Sequence, residues 1–144
     1  MVNKVLKVQD IYRGQILELA KSSRFSKPLA KPTHSAEKNN PICGDKVTID
    51  MVIENEIVSD VHLFVRGCAL CEAGAGMLGE TAIGKNLDDL KKLTNKMDNY
   101  LNNNEPAPDN TYLCFEPVKK IKNRITCVLL AFQAASELTP NKRS

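Results

Sequence analysis

Apolar and polar positions along the chain change period several times, and each period predicts an element. From Val8 to Lys21 the apolar residues Val8, Ile11, Ile16, Leu17, Leu19 and Ala20 fall mostly at helical spacing, so a first amphipathic helix is expected, ended by Ser22-Ser23. Phe25 to Asn40, with Pro28, Pro32, Ser, Thr and Asn, reads as an extended connector leading into Pro41. Val47, Ile49, Met51 and Ile53 then alternate with Lys46, Thr48, Asp50 and Glu54, the period of a half-buried strand. After a turn at Glu54-Asn55-Glu56, the apolar run Ile57 to Val65 is expected to pair with it antiparallel as a hairpin and to end at Gly67.

Cys68 to Ile83 is rich in Ala and small residues and reads as a helix interrupted by Gly74, Gly76 and Gly79. Each glycine costs about 1 kcal/mol relative to Ala, so close packing against the sheet is expected to compensate. Asn86 is placed to cap a helix over Leu87 to Leu101, in which Leu87, Leu90, Leu93, Met97 and Leu101 keep helical spacing. Asn102 to Asn110 reads as a polar loop and Tyr112 to Val118 fits no single period. Ile125 to Leu138 returns to a helix, stopped by Pro140. Two or three strands with four or five helices make an α+β fold, a small antiparallel sheet with helices packed on one face. With 144 residues, residues 1–144 are expected to form a single domain.

Composition removes several function classes. Twenty basic against seventeen acidic residues give a net charge of +3 spread along the chain, which argues against nucleic-acid binding. The densest basic cluster, Lys119, Lys120, Lys122 and Arg124, reads as a solvated face. Met1 to Asp10 lacks a continuous apolar core, so no secretory signal is expected. The longest apolar stretch, Cys127 to Phe132, is far shorter than the roughly 20 residues of a membrane span. A soluble, cytoplasmic protein with no membrane partner is expected. Walker A, G-x-G-x-x-G and H-E-x-x-H motifs are absent, and His34 and His62 stand at no spacing that couples them to a cysteine.

The five cysteines carry the chemistry. An odd number without a secretion signal argues against a disulfide framework. Cys43 lies in the loop Pro41-Ile42-Cys43-Gly44-Asp45 before the first hairpin strand, Cys68 follows the second, and Cys127 is expected in the first turn of the last helix. A hairpin brings the first two together beside Asp45, and three thiolates with one carboxylate suit a tetrahedral zinc site or iron. Four negative charges need compensation: Cys68 and Cys127 are expected at helix N-termini, which favour thiolate, and Arg124 is placed to add positive charge. One carboxylate among three thiolates is a harder, more exchangeable donor, as in a site meant to open and free a cysteine for sulfur. Cys68-Ala69-Leu70-Cys71 has C-x-x-C spacing without a second such pair; Cys71 reads as helix packing or as an extra thiol, and Cys114 as core.

Asn40-Pro41-Ile42-Cys43-Gly44-Asp45, Arg66-Gly67-Cys68-Ala69-Leu70 and Arg124-Ile125-Thr126-Cys127 together resemble the U-type iron–sulfur assembly proteins, the IscU/NifU-N/SufU family. The resemblance covers nearly the whole chain, including Tyr12-Arg13 and Gly84-Lys85-Asn86-Leu87, and implies a SufE/NifU-like fold. Thr126 instead of His before the last cysteine, the long stretch between Cys68 and Cys127, and the Arg124-x-x-Cys127 spelling are most similar to the SufU branch. By resemblance, Cys43, Asp45, Cys68 and Cys127 would be the metal ligands. A SufS-like cysteine desulfurase would supply persulfide sulfur to Cys43 in a zinc-dependent sulfurtransferase. The alternatives are a scaffold that assembles a labile iron–sulfur cluster on the same residues and passes it to apo recipient or carrier proteins, or a structural zinc-binding interaction module. Cys71 stands where the family commonly has a small polar residue.

Overall fold

The computed structural model describes residues 8–22, 24–41 and 44–141. Its elements are α1 (Val8–Lys21), β1 (His34–Asn40), β2 (Asp45–Glu54), β3 (Ile57–Arg66), α2 (Ala69–Ala82), α3 (Leu87–Asn103), a 3-10 helix (Asn110–Lys120), α4 (Lys122–Ser136) and β4 (Thr139–Pro140). The strands form one antiparallel sheet in the order β3-β2-β1-β4. The fold is the expected α+β arrangement of a small antiparallel sheet with helices.

The hairpin of β2 and β3 forms as the alternating pattern predicts, with β3 at one edge of the sheet and β2 inside it. Asn55 and Glu56 turn it with positive φ at both positions, the backbone that suits a tight two-residue hairpin loop. Val47, Ile49 and Met51 of β2 are fully buried and face the helices, joined by Val58, Val61 and Leu63 of β3. The other face is polar: Asp50 accepts hydrogen bonds from Ser35 Oγ (2.6 Å) and His62 Nδ1 (3.1 Å).

β1 corrects the reading of Phe25 to Asn40 as a connector. Its second half is a strand in register with β2 from His34 opposite Met51 to Asn40 opposite Asp45. In His34-Ser-Ala-Glu-Lys-Asn-Asn40 only Ala36 is apolar, so no alternation marks the strand. What holds it is the ladder itself and Thr33, whose Oγ1 accepts from Ile53 N–H at 2.8 Å. The last helix also ends earlier than expected, at Ser136, and Thr139–Pro140 pairs with His34 and Ser35.

α2 is buried nearly all round, between α1, α4 and the sheet, which explains its many small residues. The glycines are matched to other partners than expected. A Cβ on Gly74 would lie 2.4 Å from the Val128 carbonyl oxygen of α4, and one on Gly79 would lie 2.5 Å from the Phe25 ring. Helix α4 and the turn after α1, not the sheet, demand glycine at these two positions. α3 starts where predicted: Asn86 Oδ1 accepts from Asp89 N–H at 2.7 Å and the Asp89 carboxylate accepts from Asn86 N–H, a reciprocal capping box. The segment without a clear period is the 3-10 helix, which sends Tyr112, Cys114, Phe115 and Val118 into the core. Among the described residues no helix is long and apolar enough to cross a membrane.

Candidate metal centre

Three elements converge at one end of the sheet. Asp45 opens β2 with the same parity as Val47, Ile49 and Met51, so its carboxylate points to the helix-covered face and is 9 % exposed. Lys46 pairs with Arg66, which puts Asp45 beside Gly67 at the end of β3. Cys68 follows as the N-cap of α2 in extended backbone (φ −79°, ψ 174°), and Cys71 lies in the first turn of that helix. Cys127 arrives on α4, which packs closely on α2 where Gly74 meets Val128. It lies six residues into α4 and therefore in the second turn. The helix-terminus argument thus holds for Cys68 but not for Cys127.

The donor atoms of Asp45, Cys68, Cys71 and Cys127 all lie within 4.8 Å of one another. Cys71 Sγ and Cys127 Sγ both donate to Asp45 Oδ2, at 3.3 and 3.4 Å, and Cys68 Sγ lies 3.9 Å from Cys71 Sγ. A tetrahedral zinc ion with sulfur at about 2.3 Å and carboxylate oxygen at about 2.1 Å spaces two sulfurs about 3.8 Å apart and sulfur from oxygen about 3.6 Å. The three separations are close to those edges. The donors present therefore fit zinc, and their thiolates equally fit iron. Gly67 makes the approach possible, since a Cβ there would lie 3.0 Å from Asp45 Oδ1 and 3.1 Å from Cys71 Sγ.

The electrostatics of the pocket favour a cation. Burial pushes the Cys127 thiol up to about 12, helped by its contacts with Cys68 and Asp45. Burial, then the hydrogen bond to Asp45, pushes the Cys71 thiol up strongly as well. Without an ion both stay neutral and donate their protons to one carboxylate oxygen. Among the described residues Asp45 forms no ion pair. A divalent ion would take the place of those two protons, leaving the carboxylate's own negative charge still to be balanced by a positive neighbour.

The expected site residues are thus partly gathered. Asp45, Cys68 and Cys127 come together; Cys43 lies outside the described residues. Cys71, read as packing or an extra thiol, is fully buried with its sulfur turned to Asp45 and Cys68. Its C-x-x-C spacing was the available signal, because i and i+3 share a helix face. Arg124 lies on the wall of an open groove of about 620 Å³, together with Arg13, Leu17, Leu70 and Lys120, that reaches Cys68 and Cys127. Cys114 is core, as expected: it is 1 % exposed, burial raises its thiol to about 11, and it lies 3.7 Å from the Thr111 carbonyl oxygen. Neither His34 nor His62 joins the cluster.

This fold and this cluster have relatives. Residues 11–114 match the NifU-like N terminal domain family. The iron–sulfur cluster assembly scaffold protein IscU of Thermotoga maritima is 28 % identical over 130 residues, covering 88 % of this chain and 91 % of that protein. The zinc-dependent sulfurtransferase SufU of Bacillus subtilis is 26 % identical over 128 residues, 86 % of each chain. The crystal structure of the N-terminal part of a NifU-like protein from Brucella abortus superposes with a TM-score of 0.80 at 31 % identity, covering 90 % of this chain and 92 % of that one. The chain belongs to the U-type iron–sulfur cluster assembly proteins, the family of the NifU-like N-terminal domain.

Proposed function

We propose that this protein is a cytoplasmic, zinc-bound sulfur acceptor of iron–sulfur cluster assembly, most similar to the SufU branch. In this reading Cys43, Asp45, Cys68 and Cys127 hold the ion, and Cys43 receives sulfur from a SufS-like cysteine desulfurase. The Cys43 thiolate attacks the terminal sulfur of the enzyme's persulfide, and the enzyme's cysteine leaves as thiolate. Bound zinc supplies one thing: it keeps buried sulfurs in the thiolate form at neutral pH. The observation that carries the reading is the convergence of Asp45, Cys68 and Cys127 at the end of the groove, with two thiols on one buried carboxylate. Arg13, Lys120 and Arg124 give the groove a positive wall, and Leu17 and Leu70 an apolar one, which suits a protein donor that delivers a persulfide. The test is the turnover of a purified cysteine desulfurase with and without this protein. Stimulation, with one extra sulfur atom found on the Cys43 peptide by mass spectrometry, is the expected result. No stimulation overturns the reading.

A second reading has its own support. The Thermotoga relative carries the name of a scaffold, and three thiolates with one carboxylate suit iron as well as zinc. As a scaffold the protein would assemble a labile cluster on the same residues and deliver it to apo iron–sulfur recipients or carriers. Anaerobic reconstitution with iron, sulfide and reductant would then give cluster absorption that moves to an apo acceptor. Absence of both removes this reading.

A further inference from the structure

Taking the metal-binding reading above as its basis, we propose that Cys71 is itself a donor to the ion. Cys71 takes the place given to Cys43 in that reading: Asp45, Cys68, Cys71 and Cys127 hold the ion as a four-donor set, and Cys43 serves only to carry sulfur.

The placement of Cys71 separates a ligand from a core filler. A sulfur that only fills space has no thiol or carboxylate cluster beside it, and Cys114 shows that case in this chain: it lies apart from the cluster, 3.7 Å from the Thr111 carbonyl oxygen. Cys71 is just as buried, yet its sulfur lies 3.3 Å from Asp45 Oδ2 and 3.9 Å from Cys68 Sγ. Those separations are close to the sulfur–oxygen and sulfur–sulfur edges of a tetrahedral zinc site, about 3.6 and 3.8 Å. Gly67 provides the gap into which this sulfur fits, since any Cβ there would come 3.1 Å from it. Three of the four donors sit on the ends of packed elements: Asp45 on β2, Cys68 and Cys71 on α2. The fourth, Cys127, is fixed to α2 by the close helix contact at Gly74. The set draws its donors from β2, from α2 with its N-cap, and from α4.

The consequence is chemical. A site of three thiolates and one carboxylate that included Cys43 would lose a donor whenever Cys43 reacted. With Cys71 in the set, the ion keeps four donors throughout. The transfer balances with Cys43 outside the donor set: the Cys43 thiol releases its proton to solvent, and its thiolate bonds the terminal sulfur of the donor's persulfide. The donor's cysteine departs with the electron pair of the broken sulfur–sulfur bond and takes up a proton. No external oxidant or reductant is needed.

The experiment uses the full chain, loaded with zinc for affinity and with cobalt(II) for the intensity of sulfur-to-metal charge transfer, which counts thiolates. Wild-type protein is the control for the underlying reading: if it binds neither ion, that reading fails and with it this one. Given wild-type binding, Cys43→Ser is expected to keep zinc affinity within about tenfold of wild type and to show three thiolates on cobalt. Cys68 and Cys127 alone account for only two, so the third identifies Cys71 even if its own variants do not fold. In a folded Cys43→Ser/Cys71→Ser protein the count is expected to drop to two, with affinity lower by more than about a hundredfold. A Cys43→Ser protein that melts like wild type but shows two thiolates, or loses the ion, overturns the proposal.

Discussion

Replacing Gly74 by alanine would place a methyl carbon 2.4 Å from the Val128 carbonyl oxygen. Ordinary contact begins near 3.4 Å, so α2 and α4 would have to separate by about 1 Å along that line (3.4 − 2.4), and the opposing atom is backbone that cannot rotate away. Alanine gains about 1 kcal/mol of helix propensity over glycine, while overpacking of this kind costs about 1–3 kcal/mol. The net expectation is a loss of up to about 2 kcal/mol, which for a chain of this size lowers Tm by up to roughly 8 °C. The same displacement moves Cys127 on α4 away from Cys68 and Cys71 on α2, so zinc affinity is expected to fall along with stability. Gly14 in α1 provides the contrast, because nothing lies within 4 Å of a Cβ there. Gly14→Ala is expected to raise Tm by the propensity gain alone, up to about 1 kcal/mol, and to leave zinc affinity untouched. Thermal melts in chelator, followed by zinc competition titrations, read both quantities. A Gly74→Ala protein that melts higher than wild type and binds zinc as well would refute the coupling between this helix contact and the cysteine cluster.

Other perturbations follow from the same geometry. Asp45→Ala removes the acceptor shared by the Cys71 and Cys127 thiols and is expected to lower zinc affinity by more than about tenfold in competition titrations, with Cys43→Ala as the comparison. Chelator-treated protein has a pH signature, because burial lifts Cys127 from its ordinary 9.0 to about 12. The folded state then binds a proton that the unfolded state releases, so stability is full below about pH 9 and falls as pH rises from there toward about 12, visible in melts across that range. Zinc affinity runs the other way at neutral pH: each thiol gives up a proton on binding, so affinity rises by up to about tenfold per pH unit for each thiol displaced. Asn86→Ala breaks the capping box of α3 and is expected to cost about 1 kcal/mol in denaturant unfolding, without touching metal binding.

Legibility in the sequence tracked how directly a residue's neighbours are its neighbours in the chain. α1, the β2–β3 hairpin and the Asn86 cap were readable because periodicity and capping are local. β1 was not, since six of its seven residues are polar and it is held by a ladder to a strand whose own pattern says nothing of a partner. The glycines of α2 announced close packing, but only the tertiary arrangement shows Val128 and Phe25 as the atoms that require it. In the site, Asp45 was legible by motif and also by parity with Val47, Ile49 and Met51. Cys127 lies one turn later than expected because the apolar spacing begins only at Ile125, whereas the polar Lys122-Asn123-Arg124 already forms the first turn of α4. Cys71 was visible as half of a C-x-x-C pair, but its direction depends on Gly67 and on the end of β3, which no local pattern encodes.

Elemental analysis of the full chain, purified without chelator and under reducing conditions, tests the central claim most directly. A sulfur acceptor with this donor set carries a single tightly held zinc ion per chain and no iron, and loses it on Asp45→Ala. Protein that is folded, reduced and free of any metal, and that takes up none when zinc is offered, would contradict the metal centre at the end of the sheet.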